Sequence, residues 1–211
     1  LKLSQALRRQ RLEVGSLDFD LPEPQILLDD EGKVIDIFIQ ARMPSHQVVE
    51  EFMLLANKHA ATYLGGQGAP ILYRVHALPD KEKIENFGAL LREMGYNFSF
   101  RGEITPKKLQ RVLEAVKDKP EEAFVEEILL RSLAKAVYQP ENIGHFGLAF
   151  PMYTHFTSPI RRFPDLLIHR TLKLLLNKKL NSEVVKELAP SLKAIGLHCT
   201  STEITADEAE R

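Results

Sequence analysis

Apolar residues recur along this chain at two spacings, and each spacing predicts a kind of element. From Ser45 to Leu64, SHQVVEEFMLLANKHAATYL sets Val48, Val49, Phe52, Leu55, Ala56 and Tyr63 near the helical period, which predicts an amphipathic helix with one apolar stripe. Glu50 and Glu51 fall in its early turns and Gly65-Gly66 follow it, as start and stop signals do. PDKEKIENFGALLREMG repeats the pattern, with Ile84, Phe87, Leu91 and Met94 on one face. In TPKKLQRVLEAVKDK, Thr105 takes the N-cap and Pro106 the first helical position, where a missing N–H removes no hydrogen bond. PEEAFVEEILLRSLAKAVY places acids early and basic residues late, matching the helix dipole, and predicts a helix that runs to Pro140. Two later helices are expected, DLLIHRTLKLLLN and then PSLKAIGLHCTSTEITADEAER, the second opening at Pro190.

Elsewhere the period is shorter. SLDFDLPEPQILLDDEGKVIDIFIQ alternates acidic and apolar residues about Asp29-Asp30-Glu31-Gly32, which predicts a hairpin of two short strands. Asp29 and Asp30 stand where a turn uses Asx side chains and Gly32 where it uses a positive φ, so these acids read as turn residues rather than metal ligands. PILYRV, residues 70–75, is a short strand. The stretch from Glu141 to Arg162 is rich in glycine, aromatics and hydroxyls without a period. It reads as a short strand and loop that lead into a helix. With no repeat, low-complexity tract or linker in view, the expected fold is a single α+β unit, mostly helical with a small antiparallel sheet.

Composition narrows the function. A formal net charge of −1 over 211 residues argues against general attraction to nucleic acid or anionic membrane, so any anion site is local. A single cysteine, Cys199, excludes an internal disulfide framework, and no apolar run reaches the roughly 18 residues of a membrane span. Together these point to the cytoplasm. The chain opens on LKLSQALRRQRLEVG without an initiator methionine and stops in TADEAER with helical composition, which suggests a piece of a longer protein.

The densest chemistry lies in HFTSPIRRFPDLLIHR, residues 155–170. Ser158 and Pro159 predict a helix start, whose free N–H groups attract anions. Arg161 and Arg162 would then sit in the first turn, against the dipole. A phosphate or carboxylate partner gripped by amides, hydroxyls and guanidinium forks would offset that placement. Otherwise the two arginines are solvated or paired with acids elsewhere. His155 and His169 have no cluster of further ligands at metal spacing and read as structural. Tyr153, Phe156 and Phe163 either stack on bases or belong to the core.

The longer stretch VYQPENIGHFGLAFPMYTHFTSPIRRFPDLLIHR, residues 137–170, resembles the catalytic domain of the ribonuclease II and ribonuclease R family, its bacterial ribonuclease R branch above all. LDFDLPEP, VEEFMLLAN at 49–57, LYRVHALPD at 72–80 and ITADEAER at 204–211 resemble further family landmarks in the same order. Essentially the whole chain is covered. The resemblance implies a processive 3′-to-5′ exoribonuclease that hydrolyses single-stranded RNA to nucleoside 5′-monophosphates by two-metal chemistry with Mg²⁺. By likeness Arg161 is the catalytic arginine with Arg162 close behind, and Glu210 falls where relatives carry a catalytic carboxylate. Tyr153, His155, Phe156, Thr157 and Ser158 would belong to the RNA-binding channel.

Two departures stand out. Phe163 occupies a position that is usually tyrosine. The family's metal-binding aspartates, in a segment that reads like DPxDxDDA upstream of LDFDLPEP, do not occur in this chain, and Asp18 and Asp20 come after that place. Nor do the cold-shock and S1 modules of the family. The chain therefore reads as a partial RNB-type catalytic domain that carries the arginine side of the site, holds no metal tightly, is inactive alone and tends to self-associate through exposed apolar surface. Two other readings are a noncatalytic RNA-binding module and, were the landmarks accidental, a helical interaction protein.

Overall fold

Every expected helix forms, but burial and proline set some of their faces and limits differently from the apolar spacing. The computed structural model describes residues 1–19, 24–39, 43–100 and 102–210. Its elements are α1 (Lys2–Val14), β1 (Pro24–Leu28), β2 (Val34–Ile39), α2 (Pro44–Gly66), β3 (Tyr73–Val75), α3 (Lys81–Glu93), α4 (Pro106–Val116), α5 (Glu122–Ser132), β4 (Val137–Gln139), α6 (Phe163–Leu176) and α7 (Ser182–Glu210). The fold is mostly helical α+β, as expected, and among the described residues two two-stranded antiparallel sheets stand in place of one. Contacts divide the chain into two compact units, residues 1–50 with 79–133 and residues 51–78 with 134–211. The first division falls inside α2, where no linker composition marks it. Among the described residues no helix is long and apolar enough to cross a membrane.

In the first unit β1 and β2 pair antiparallel, Ile26 opposite Ile37, with a shift of register between Leu27 and Leu28. The Asp29 carboxylate accepts the N–H groups of Glu31 and Lys33 at 3.0 and 2.8 Å, and Gly32 has φ +80°, so the turn role of these residues holds. All the strand residues are exposed, among them Ile26, Ile37, Phe38 and Ile39. A hairpin this apolar and this bare is marginal by itself. The Asp80 carboxylate caps α3 by accepting the N–H groups of Glu82 and Lys83, and Ile84, Phe87 and Leu91 are buried as their spacing predicts. They join Leu109, Val112 and Val116 of α4 and Val125 and Leu129 of α5 in the buried core of this unit. Arg11 is buried and donates to the Ser16 hydroxyl at 2.8 Å. Asp18 is bound by Arg8 and faces Arg11 at 3.9 Å, an ion-pair role.

The helix expected to run to Pro140 ends at Ser132 instead. Leu133 is extended, and Val137–Gln139 pairs as β4 with β3, Arg74 opposite Tyr138. A β-branched residue beside an aromatic suits a pleated, half-buried ribbon better than a last helical turn. In the second unit the apolar stripe assigned to α2 is rotated: Phe52 and Tyr63 are exposed, whereas Leu54, Asn57, Ala61 and Leu64 are buried. Ala60, Ala61, Leu64, Ile71, Val75 and Ile168 form one core cluster there. Helix α7 begins at Ser182, not Pro190, because Asn181 accepts the N–H groups of Glu183 and Val184. Pro190 lies inside the helix and removes one hydrogen bond without ending it. Gly196 brings α7 against β4: a Cβ there would stand 2.6 Å from the Tyr138 carbonyl oxygen.

Candidate active site

The period-free stretch before α6 is held by two buried polar side chains. Asn57 of α2 is 0% exposed. Its amide donates to the Tyr153 hydroxyl at 2.9 Å, and its carbonyl oxygen accepts the N–H groups of Phe156 and Thr157 at 2.9 and 3.2 Å. Asp165 of α6 is also 0% exposed. One of its oxygens accepts both the Ser158 N–H and the Arg162 guanidinium at 2.8 Å. Thr154 adds a third anchor by donating its hydroxyl to the Leu72 carbonyl at 2.6 Å. Buried side chains that satisfy backbone amides fix a loop more firmly than surface contacts do.

This geometry corrects the helix start. Ser158 caps nothing, and residues 158–161 form a turn closed by the Arg162 N–H on the Ser158 carbonyl at 3.1 Å. Helix α6 begins at Phe163, with an extended Arg162 as its N-cap and Pro164 in its first turn. Pro164 sets the limit, since proline clashes with the preceding turn anywhere deeper in a helix. Arg162 therefore faces an acid of the first turn, Asp165, and the conflict with the helix dipole disappears. The choice left open for the two arginines resolves differently for each. Arg162 is paired within the fold, whereas Arg161 is exposed and has no ion-pair partner among the described residues. Ile160 beside it is 102% exposed.

Behind the loop runs a ladder of rings. His76 meets His145 edge-on at 5.1 Å, His145 meets Tyr153 at 5.3 Å, and Tyr153 meets His155 at 5.7 Å. His155 Nδ1 lies 2.7 Å from the Tyr138 hydroxyl. The Arg74 guanidinium stands 4.5 Å over the Tyr138 ring and bonds Glu203 at 2.6 Å. Desolvation, followed by the nearby Arg162 and Arg74 charges, pushes the His155 pKa down to about 2. Burial and then His76 bring His145 to about 3, while burial lifts the Tyr138 phenol to about 12. Burial also lowers His76. These histidines stay neutral near pH 7, so positive charge on the loop belongs to the arginines.

The expected site residues other than Glu210 thus share one loop, with different duties. Tyr153 is buried and hydrogen-bonded, a prop under His155 rather than a platform for a base. Phe156 stacks on His169 at 4.2 Å, and His169 Nε2 lies 2.9 Å from the Phe156 carbonyl, the structural role expected for that histidine. Phe163 is half exposed. The Thr157 hydroxyl and Arg162 Nε are buried without a hydrogen-bond partner. Glu210 is exposed at the end of α7, seven positions beyond Glu203, and no contact among the described residues joins it to the loop. Spacing alone overlooked Asn57, Asp165, Arg74, Tyr138 and Glu203. One available signal was an amide in the middle of an otherwise small and apolar helix face, Leu54, Ala61 and Leu64. Among the described residues no group of three or more His, Cys, Asp or Glu could hold a metal ion. Asp20 lies outside the described residues.

Comparison with known proteins agrees with the landmarks. The RNB domain matches residues 1–178. Ribonuclease R of Aquifex aeolicus is 44% identical over 211 residues, taking in 99% of this chain and 29% of its own length. The solved RNase R of Mycoplasma genitalium, in complex with a ribose-methylated single-stranded RNA, superposes with a TM-score of 0.93 at 30% identity, over 99% of this chain and 33% of that one. Yeast Ssd1, a pseudonuclease, gives a TM-score of 0.65 at 27% identity over 75% of this chain and 20% of its own. The chain spans 29% of the Aquifex relative and 27% of ribonuclease R of Escherichia coli, to which it is 37% identical. With a family domain matched over most of its length and the arginine loop of its landmark segment anchored by buried Asn57 and Asp165, this chain belongs to the RNB domain family.

Proposed function

We propose that the chain supplies the arginine side of the active site of a processive 3′-to-5′ exoribonuclease, which works in the cytoplasm and hydrolyses single-stranded RNA to nucleoside 5′-monophosphates. The observation that carries this is Arg161, a guanidinium without an ion-pair partner among the described residues, on a loop fixed by Asn57 and Asp165. Hydrolysis of a phosphodiester builds negative charge on the non-bridging oxygens, and a cation already held in place stabilises it without reorganising. The single-stranded RNA in the Mycoplasma genitalium complex supports the substrate class. His155, Thr157 and Ser158 position the RNA backbone, contacts that carry no sequence information. Glu210 is retained as a second catalytic candidate on family likeness alone. Mg²⁺ would supply the activated water and leaving-group stabilisation in the full-length protein. The aspartate segment that the family resemblance associates with the metal does not occur in these 211 residues, and on that reading the chain alone is inactive.

A noncatalytic RNA-binding module is the second reading, favoured by the likeness to the pseudonuclease Ssd1. A time course with 5′-labelled single-stranded RNA and Mg²⁺, run with EDTA controls, separates the two. EDTA-sensitive trimming from the 3′ end by the full-length protein, with none by the 211-residue chain, is expected. Binding without trimming by the full-length protein establishes the module instead. Trimming by the short chain overturns its inactivity.

Self-association of the short chain is supported by the β1–β2 hairpin, which leaves Ile26, Ile37 and Ile39 60, 62 and 66% exposed. Bare apolar strands with open edges pair with other copies, and a lysine among them opposes this. Sedimentation velocity is expected to show concentration-dependent association that Ile37→Lys reduces. A monomer at every concentration would refute it.

A further inference from the structure

Resting on the exoribonuclease reading, the inference concerns how His155 meets the RNA. The Tyr138 hydroxyl and His155 Nδ1 lie 2.7 Å apart, and either atom could donate. Tyr138 is buried, and its hydroxyl proton has no other acceptor among the described residues. Were Nδ1 to carry the imidazole proton, it would donate to the phenol oxygen and leave the buried phenolic O–H unsatisfied, a desolvation penalty that native structures avoid. A doubly protonated ring would leave the O–H unsatisfied too, and would place a third cation near the Arg162 and Arg74 guanidiniums. The arrangement that satisfies both partners has the phenol donating and Nδ1 accepting.

We propose that Tyr138 is a positioning residue: by donating to Nδ1 it puts the single imidazole proton of His155 on Nε2 and makes that edge a neutral N–H donor to an oxygen of the RNA backbone. Nε2 has no hydrogen-bond partner among the described residues, so the donor is free for a ligand. The pair is braced on every side the structure shows. Arg74 covers the Tyr138 ring and is held by Glu203, the Thr200 hydroxyl accepts the Tyr138 N–H at 3.0 Å, and Tyr153 meets the His155 ring edge-on. A ring orientated by a hydrogen bond on one nitrogen presents the other in a defined state and direction. RNA contact at His155 is then a directed hydrogen bond, and charge neutralisation is left to Arg161. Tyr138 touches no substrate; it acts through His155.

Long-range ¹H–¹⁵N spectra of the ¹⁵N-labelled chain at pH 7 read the tautomer directly. The expected result is a proton on Nε2 of His155, with an unprotonated Nδ1, and loss of that preference in Tyr138→Phe, which keeps the ring under Arg74. RNA affinity of the full-length protein in EDTA gives the functional arm. Tyr138→Phe and His155→Ala each weaken single-stranded RNA binding by about three- to tenfold, the worth of one hydrogen bond, and the double variant is no weaker than His155→Ala alone. A proton on Nδ1 in the wild-type chain overturns the proposal, and it decides the matter even if Tyr138→Phe fails to fold. So does wild-type affinity in His155→Ala, or additive losses in the double variant. Absence of RNA binding by the wild-type protein would instead remove the exoribonuclease reading, whatever tautomer the spectra show.

Discussion

Arg161→Ala is expected to slow RNA hydrolysis by the full-length protein about 10²- to 10³-fold, the usual loss when one preorganised donor to a developing oxyanion is removed, and to leave folding stability almost unchanged. Its neighbour is expected to behave in the opposite sense. Arg161 is exposed and unpaired among the described residues, so truncating it breaks no contact of the fold. Arg162 bonds Asp165, which is wholly buried and also holds the Ser158 N–H. Asp165→Ala strands the Arg162 charge and the Ser158 amide, the situation in which breaking a buried pair costs about 3–5 kcal/mol. Single-turnover rates at saturating RNA report the chemical step, and denaturant melts report stability. Equal rate losses at Arg161 and Arg162 with no change in either melt would show that both guanidiniums face the phosphate, contrary to the geometry. A loss confined to KM in Arg161→Ala would make this cation a binding contact rather than a transition-state one.

What the sequence made legible was governed by local rules. Asp29 and Gly32 announce a turn, Thr105 and Pro106 mark a helix start, and Ile84, Phe87 and Leu91 keep one periodic face, because each depends on neighbours within about four residues. The misjudged features depend on distant partners. Asn57 is drawn to the buried side of α2 by the Phe156 and Thr157 amides, about a hundred positions away, and Phe52 is turned outward with it. Val137–Gln139 leaves the helical register because Tyr73–Val75 pairs with it. The start of α6 was within reach of sequence reasoning, since Pro164 restricts where a helix can begin. Family likeness located the arginine loop; the different roles of Arg161 and Arg162 needed the position of Asp165.

Acid is expected to destabilise the second unit well before its carboxylates titrate. His145 and His155 are held to about 3 and about 2, and His76 is lowered as well, in each case chiefly by burial. In the unfolded chain the same side chains take up a proton near pH 6.5. Below that pH the unfolded state binds more protons than the folded one, so stability falls as pH falls; above it the term is absent. The loss begins near pH 6.5 and continues down towards the folded values, at up to about 1.4 kcal/mol per pH unit for each histidine. By pH 5 a fully depressed histidine contributes about 2 kcal/mol of destabilisation. Water reaching the partly exposed His145 and His155 lowers their share, so these two together cost less than about 4 kcal/mol by pH 5, with His76 acting in the same direction, against a domain stability of about 5–15 kcal/mol. Urea melts between pH 7.5 and 5 measure this directly. The expected midpoint is level above pH 6.5 and drops steeply beneath it, and a midpoint constant to pH 5 would mean that the ring ladder admits protons freely. Such a result would also remove the electrostatic reason for a neutral His155, and with it the division of labour in which Arg161 alone brings free charge to the RNA.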